Sequence, residues 1–140
     1  MDKEQILRFL NDNPAFSLAT CEGTIPHVRT LMLHKADATG IYFMVGKFKD
    51  VYRQLSLNPA IELCFHKDDF QVRVAGQAEN LDKELDLKKE ILEARPFQKP
   101  WIERVGFKYM AVFRVKDGVA TVWSLETDMQ PKEAFRLLDY

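Results

Sequence analysis

The sequence predicts an α+β domain built on a small closed antiparallel barrel, and three observations carry that expectation. At least six short apolar strand patterns follow one another across tight turns. About four amphipathic helix patterns are interspersed with them in a mixed order, which argues α+β. The strand Pro26–His34 is apolar on both sides and Ile41–Val45 reads as its buried antiparallel neighbour, so neither should be fully wetted, as inside a barrel or sandwich. Closure would also hide the sheet edges. At 140 residues the chain suits a single domain, 1–140, able to bury roughly two-thirds of its unfolded surface.

The elements follow in order. Asp2 with Gln5 three residues on resembles a capping box, and Ile6, Leu7 and Leu10 then form one apolar stripe up to Asn13-Pro14, a short helix. Phe16–Thr20 reads as a strand, with Cys21-Glu22-Gly23-Thr24 a tight connection into Pro26–His34. Asp37–Gly40 turns the chain into Ile41–Val45. Gly46–Asp50 leads to a helix whose apolar face is Phe48, Val51, Tyr52 and Leu55, stopped by Asn58-Pro59. Ile61–Phe65 and Phe70–Ala78 are strands joined by a turn at His66–Asp69. Asp82 is expected to cap a helix reaching Ala94, broken by Arg95-Pro96. Residues 96–106 read as irregular, with Trp101 as core. Phe107–Val115 alternates strictly, Asp117-Gly118 reads as a hairpin turn into Val119–Trp123, and Pro131 is expected to open a last helix through Ala134, Phe135 and Leu138.

Composition narrows function. A net charge of −1 gives no electrostatic case for nucleic acid. Met1–Asn13 is too charged for a signal peptide and no apolar run approaches the ~20 residues of a membrane span, so a cytoplasmic protein without a membrane partner is expected. Cys21 and Cys64 form no CxxC pair, and Cys64 reads as a small core residue. His27 and His34 lie an odd number of residues apart on one strand and point to opposite faces, while His66 sits in a turn, so no metal site is expected. Ser17, Ser56 and Ser124 have no visible base partner, and no catalytic side chain can be named.

One constellation does carry chemistry. Arg29 shares its side of the pleat with Leu31 and Leu33, so its guanidinium either reaches a carboxylate at the rim or meets an anion. Lys47 and Lys49 stand at a helix start, where the dipole disfavours them and a phosphate would suit. Gln71 offers an amide with donors and an acceptor. Together with the apolar strands these residues could serve a planar ligand carrying a phosphate.

Residues 18–79 resemble the pyridoxamine 5'-phosphate oxidase-like family, the FMN-binding split barrels. The matching pieces are PHVRTLMLH, the strand GIYF after it, the helix ending QLSLNPAIELCF, and FQVRVAGQAENL, with YMAVFRV and VWS similar to the closing hairpin. The resemblance implies a six-stranded antiparallel split β-barrel of Greek-key order with peripheral helices, and FMN held at a homodimer interface. It implies contacts to the cofactor from Arg29, Thr30, Leu31, Met32, Leu33, His34, Met44 and Val45, a hydrogen bond to the ring's polar edge from Gln71, and Trp123 contributing from the other subunit. Pyridoxamine phosphate oxidases carry Lys where this chain has His34, Tyr-Thr where it has Met44-Val45, and Arg-Lys where it has Asp50-Val51. Phosphate binding is then expected to move to Lys47, Lys49 or Arg53. Their Arg-x-His segment after the tryptophan strand is Ser124-Leu125-Glu126 here, so oxidation of the vitamin phosphate is not expected. The general-stress-like and nitroimidazole-resistance-like branches fit the length better. The expected function is that of an FMN-dependent oxidoreductase acting on a small organic substrate, with NAD(P)H a candidate donor. The alternatives are a non-catalytic binding or storage protein for flavin or haem, and an interaction module that has lost its ligand.

Overall fold

A computed structural model describes residues 1–138. Its elements are α1 (Lys3–Asp12), β1 (Ala15–Glu22), β2 (Ile25–Asp37), β3 (Gly40–Gly46), α2 (Asp50–Leu57), β4 (Ala60–Lys67), β5 (Phe70–Asn80), α3 (Leu85–Ala94), α4 (Lys99–Val105), β6 (Met110–Ser124) and β7 (Ala134–Arg136). The strands run β3-β2-β1-β4-β5-β6 and β3 pairs back to β6, closing a six-stranded barrel whose pairings are all antiparallel. β7 is appended to β6 outside that ring.

Alternation along the strands fills the interior. Phe16, Phe43, Phe65 and Phe113 point inward and are fully buried or nearly so; Phe16 stacks on Phe65 with ring centres 5.0 Å apart, and Phe43 on Phe113 at 5.7 Å. Each ring removed from water contributes about 1.5–3 kcal/mol before the entropy of ordering it. The capping box at Asp2 and Gln5 is formed in both directions, at 2.8 and 2.9 Å, and seats Ile6 and Leu10 of α1 in the core. At the other end of that helix the Asn11 amide pairs with both backbone groups of Ala36, as a strand neighbour would. Arg29, Leu31 and Leu33 all face the interior, as their spacing requires.

A second apolar cluster lies outside the barrel. Ile91 of α3 and Ile102 of α4 cover Met44, Met110 and Val112, so β3 is buried on both faces. β2 is not. Its outward apolar side chains are uncovered, with Val28 70% and Met32 48% exposed.

Several local expectations are corrected. Asp117-Gly118 does not reverse the chain: Gln77 opposes Lys116 and Ala75 opposes Val119, so both halves of β6 pair with the same β5 and the extra residue makes a bulge. Asp117 takes φ 57° there, and Gly76 lets the strands close, because a Cβ on it would lie 2.6 Å from the Lys116 carbonyl oxygen. The last helix is instead strand β7. Beyond the bulge β6 no longer borders β3, and Ala134–Arg136 takes the vacated edge while Leu137 and Leu138 bury beneath it. Asp82 does not cap α3, because its carboxylate is taken by Lys47 and Lys88. The irregular stretch holds a 3-10 turn (Pro96–Gln98) and α4, and a second 3-10 turn (Phe107–Tyr109) delays β6 to Met110. Cys64 lies on the outer side of β4, since Leu63 and Phe65 take the interior.

Candidate functional site

A groove of about 600 Å³ runs outside the barrel, between β2–β3 and the segment that links α3 to α4. Its floor is sheet: Thr30, Leu31 and Met32 of β2, with Met44, Val45 and Gly46 ending β3. Lys49 closes one end at the start of α2. Its roof is Arg95, Phe97, Gln98 and Trp101, and Phe48 leans across the mouth with its ring edge toward Trp101 at 5.7 Å between centres. Phe48 has therefore left the apolar face of α2 that its spacing suggested, and Trp101 is half-buried wall rather than core.

The charge in this groove has one sign. Lys49 and Arg95 line it and no carboxylate does. Arg95 is half-buried, and its Nη2 donates only to the backbone oxygens of Met32 (3.0 Å) and Leu33 (3.2 Å). Burial depresses its pKa from the ordinary arginine value, with no carboxylate offsetting that cost. Gln98 is unsatisfied in another way: its Oε1 is buried and has no hydrogen-bond partner. A second hollow, about 640 Å³, lies between the β4–β5 turn and the residues after β6. It is lined by Asp68, Asp69 and Glu126 against the single cation Lys67, so it suits an anion poorly.

Of the residues singled out from the sequence, Thr30, Leu31, Met32, Met44, Val45 and Lys49 converge on the groove. The others lie elsewhere in the chain. Leu33 is core. His34 meets Glu90 at 2.6 Å, and that hydrogen bond is the chief reason the Glu90 pKa falls below the usual carboxylate range. Lys47 donates to Asp82 at 2.5 Å, and Arg53 is bound to Glu22. Arg29 ends inside the barrel mouth, donating to Thr20 Oγ1 (2.8 Å), to the Leu18 carbonyl oxygen (3.2 Å) and to Gln54 Oε1. These partners are all neutral. Burial lowers the Arg29 pKa and nearby Asp50 opposes the shift.

Gln71 and Trp123 oppose one another on β5 and β6, with Trp123 Nε1 donating to Asp128 at 2.6 Å. They share a sheet face with the groove floor. Thr30, Ser17, Cys64, Arg73 and Thr121 form one transverse row across five strands, on the outward side of each. One step toward the same end, Met32 and Ala15 stand at one margin, and His66, Gln71 and Trp123 at the other. The helix-borne cluster lies over Met44, Met110 and Val112, away from this row, whose middle holds small side chains such as Ser17 and Cys64.

Nothing periodic in the sequence marks Phe48, Arg95, Phe97, Gln98 or Trp101 as wall residues; the one available signal was a proline-bounded aromatic stretch between two helices. The assembled set suits a flat heterocycle with an ionised tail: an apolar floor, aromatic walls and two cations.

The model of a family described as pyridoxamine 5'-phosphate oxidase matches residues 2–125. Over 72 residues, 49% of the chain, the sequence is 39% identical to a pyridoxine/pyridoxamine 5'-phosphate oxidase of Maricaulis maris, and it spans 32% of that relative. Among solved structures, a NimC/NimA family protein of Clostridium acetobutylicum superposes with a TM-score of 0.77 at 27% identity, over 95% of this chain and 91% of that one. General stress protein 26 of Bacillus anthracis gives 0.73 at 18% identity, over 96% and 97%, a likeness of fold. With the whole six-stranded barrel inside the matched region, the chain belongs to the pyridoxamine 5'-phosphate oxidase family.

Proposed function

We propose that this chain is an FMN-binding oxidoreductase that works as a homodimer on a small organic substrate. The observation that carries the reading is the helix-free sheet face, with the cationic groove at one margin and the Gln71–Trp123 pair at the other. A second copy related by a two-fold axis through that face would cover the exposed Val28 and Met32 and set its own Gln71 and Trp123 against the groove. In this reading Thr30–Met32 and Met44–Val45 form the bed for the ring. Lys49 holds the phosphate, because Lys47 and Arg53 are already committed to carboxylates. Arg29 lies on the inward side of β2, opposite Thr30 and Met32, and ties β2 to α2 through Gln54 instead of lining the bed.

Bound FMN supplies hydride or electron transfer, and the chain supplies position and electrostatics. Ser124-Leu125-Glu126 stands where the oxidases carry their substrate-holding Arg-x-His, so the activity proposed is not oxidation of pyridoxamine phosphate. The likeness to a NimC/NimA family protein and to general stress protein 26 supports placing the chain nearer those branches. No helix among the described residues is long and apolar enough to cross a membrane.

The test is reconstitution. With FMN added, the protein should quench flavin fluorescence at one equivalent per chain, show a flavin band near ~450 nm that dithionite or NAD(P)H bleaches, and sediment as a dimer. A protein that sediments as a monomer and leaves excess FMN fully fluorescent would overturn the reading. A Soret band on adding haem, with no flavin uptake, would transfer the groove to the other planar ligand.

A further inference from the structure

We infer that the 3-10 turn carrying Phe97 in one copy of the chain seats in the acidic hollow of a second copy, each protomer giving one such knob and receiving one. The contact rests on the homodimer reading and fixes which projecting turn meets which recess.

Two complementary surfaces lead there. Phe97 is 76% exposed, a large apolar area to leave in water, and Arg95 and Lys99 stand two residues to either side of it. The turn Pro96–Gln98 that carries it is held in place. Pro96 fixes its own φ, and Arg95 binds the backbone oxygens of Met32 and Leu33. A ring presented by so short and anchored a turn loses little freedom on docking.

The hollow of about 640 Å³ has the opposite character. Its apolar lining is Phe9, Phe70 and Leu125, with the two rings edge to face at 5.0 Å between centres. Leu125 is 58% exposed there. Asp68, Asp69 and Glu126 line it too, and none of the three forms an ion pair among the described residues. Lys67 offsets one of these charges, which leaves a negative excess around an apolar floor. An aromatic ring flanked by cations satisfies both the floor and the rim.

Position selects a second copy of this chain as the occupant. Arg95 holds its turn against Met32, at the end of the sheet where Gln71 and Trp123 stand on the opposite margin. The hollow begins two residues beyond that pair, at Asp69 and Leu125. A two-fold axis parallel to the strands exchanges the margins and keeps that end in common, so each turn comes opposite the hollow of the other copy.

The experiment uses the full chain supplied with FMN, with Cys21 and Cys64 replaced by serine. Phe97→Cys and Leu125→Cys are introduced singly and together, oxidised mildly with diamide and run on a non-reducing gel. The double variant should form a covalent dimer, because a thiol on the knob then faces a thiol in the recess. Each single variant should run as a monomer. Independently, Glu126→Lys should raise the dimer dissociation constant at least about tenfold in sedimentation, and Glu126→Asp should keep the parental value. A dimer that neither cross-links in the double variant nor weakens in Glu126→Lys overturns the inference and leaves the homodimer reading standing. Cross-linking of Phe97→Cys alone overturns it as well, since the two turns then meet each other. A parent chain that sediments as a monomer ends both.

Discussion

Ser17 lies directly between Thr30 and Cys64 in the sheet register, so one small hydroxyl side chain occupies the middle of the face that joins the groove floor to the strands carrying Gln71 and Trp123. A small side chain at that point lets another chain approach the sheet closely. The groove is half a site in the proposed dimer. Its floor and its distant amide and indole belong to one surface but not to one pocket.

Replacing Ser17 with arginine places a long charged side chain at that centre without disturbing the interior, since Phe16 and Leu18 point the other way. Ser17→Arg should sediment as a monomer with an unchanged far-UV spectrum and bind FMN at least about tenfold more weakly, a contact at an interface core being lost and a charge left unpaired. A dimer of parental flavin affinity would show that this face is not the interface.

The lysines at positions 47 and 49 should separate cleanly. Lys49 lines the groove, whereas Lys47 is tied to Asp82 and packs over Tyr52. Lys49→Ala is expected to weaken FMN by about tenfold or more, as loss of a charge-assisted contact does, with little change in the urea midpoint. Lys47→Ala should do the opposite: flavin affinity within about twofold, and stability lowered by about 1 kcal/mol, the usual scale for a partly exposed ion pair. Fluorescence titration of FMN and urea unfolding, run on both variants, read the two effects separately.

The barrel was legible because its signals are local and redundant. Apolar runs marked the strands that hold Phe16, Phe43 and Phe65, alternation marked that of Phe113, and Asp2 with Gln5 marked the first helix start. The bulge was not legible, because Asp117-Gly118 is as good a hairpin turn as a bulge until the partner strand is known. Half the groove was hidden for a related reason. Arg95, Gln98 and Trp101 acquire meaning only when the link between α3 and α4 is folded over β2, and no periodicity records that contact. Trp123 and Gln71 could be chosen by resemblance, yet the single chain holds them away from the floor residues. Gly76 gives the bulge a test. In Gly76→Ala the new Cβ would meet the Lys116 carbonyl oxygen at 2.6 Å and Val115 at 2.9 Å, so β5 and β6 must separate locally. The cost should be about 1–3 kcal/mol by urea unfolding, whereas Gly23→Ala, in open space but at φ 60°, should cost only about 1 kcal/mol from backbone strain.

Asp82 sets the acid behaviour of the region that holds α3 against the barrel. Its carboxylate accepts from Lys47 at 2.5 Å and from Lys88 at 2.8 Å, and Lys88 is only 4% exposed. Partial burial pushes the Asp82 pKa up, but the two lysine hydrogen bonds outweigh it and hold the value below the ordinary 3.8. A carboxylate whose folded pKa is depressed stabilises the fold fully above its unfolded value, and loses that contribution as pH falls through the folded one. Stability of the parent should therefore be level in this respect at neutral pH and decline below about pH 4. Asp82→Asn removes the titrating group. The variant should be less stable than the parent at pH 7, where Lys88 is left buried with only the Phe107 carbonyl oxygen at 3.2 Å as a strong acceptor, and the gap between the two proteins should narrow as pH drops below 4. Urea midpoints measured from pH 7 to pH 3 decide it: a gap that stays constant across that range would mean that Asp82 does not hold Lys88 through its charge.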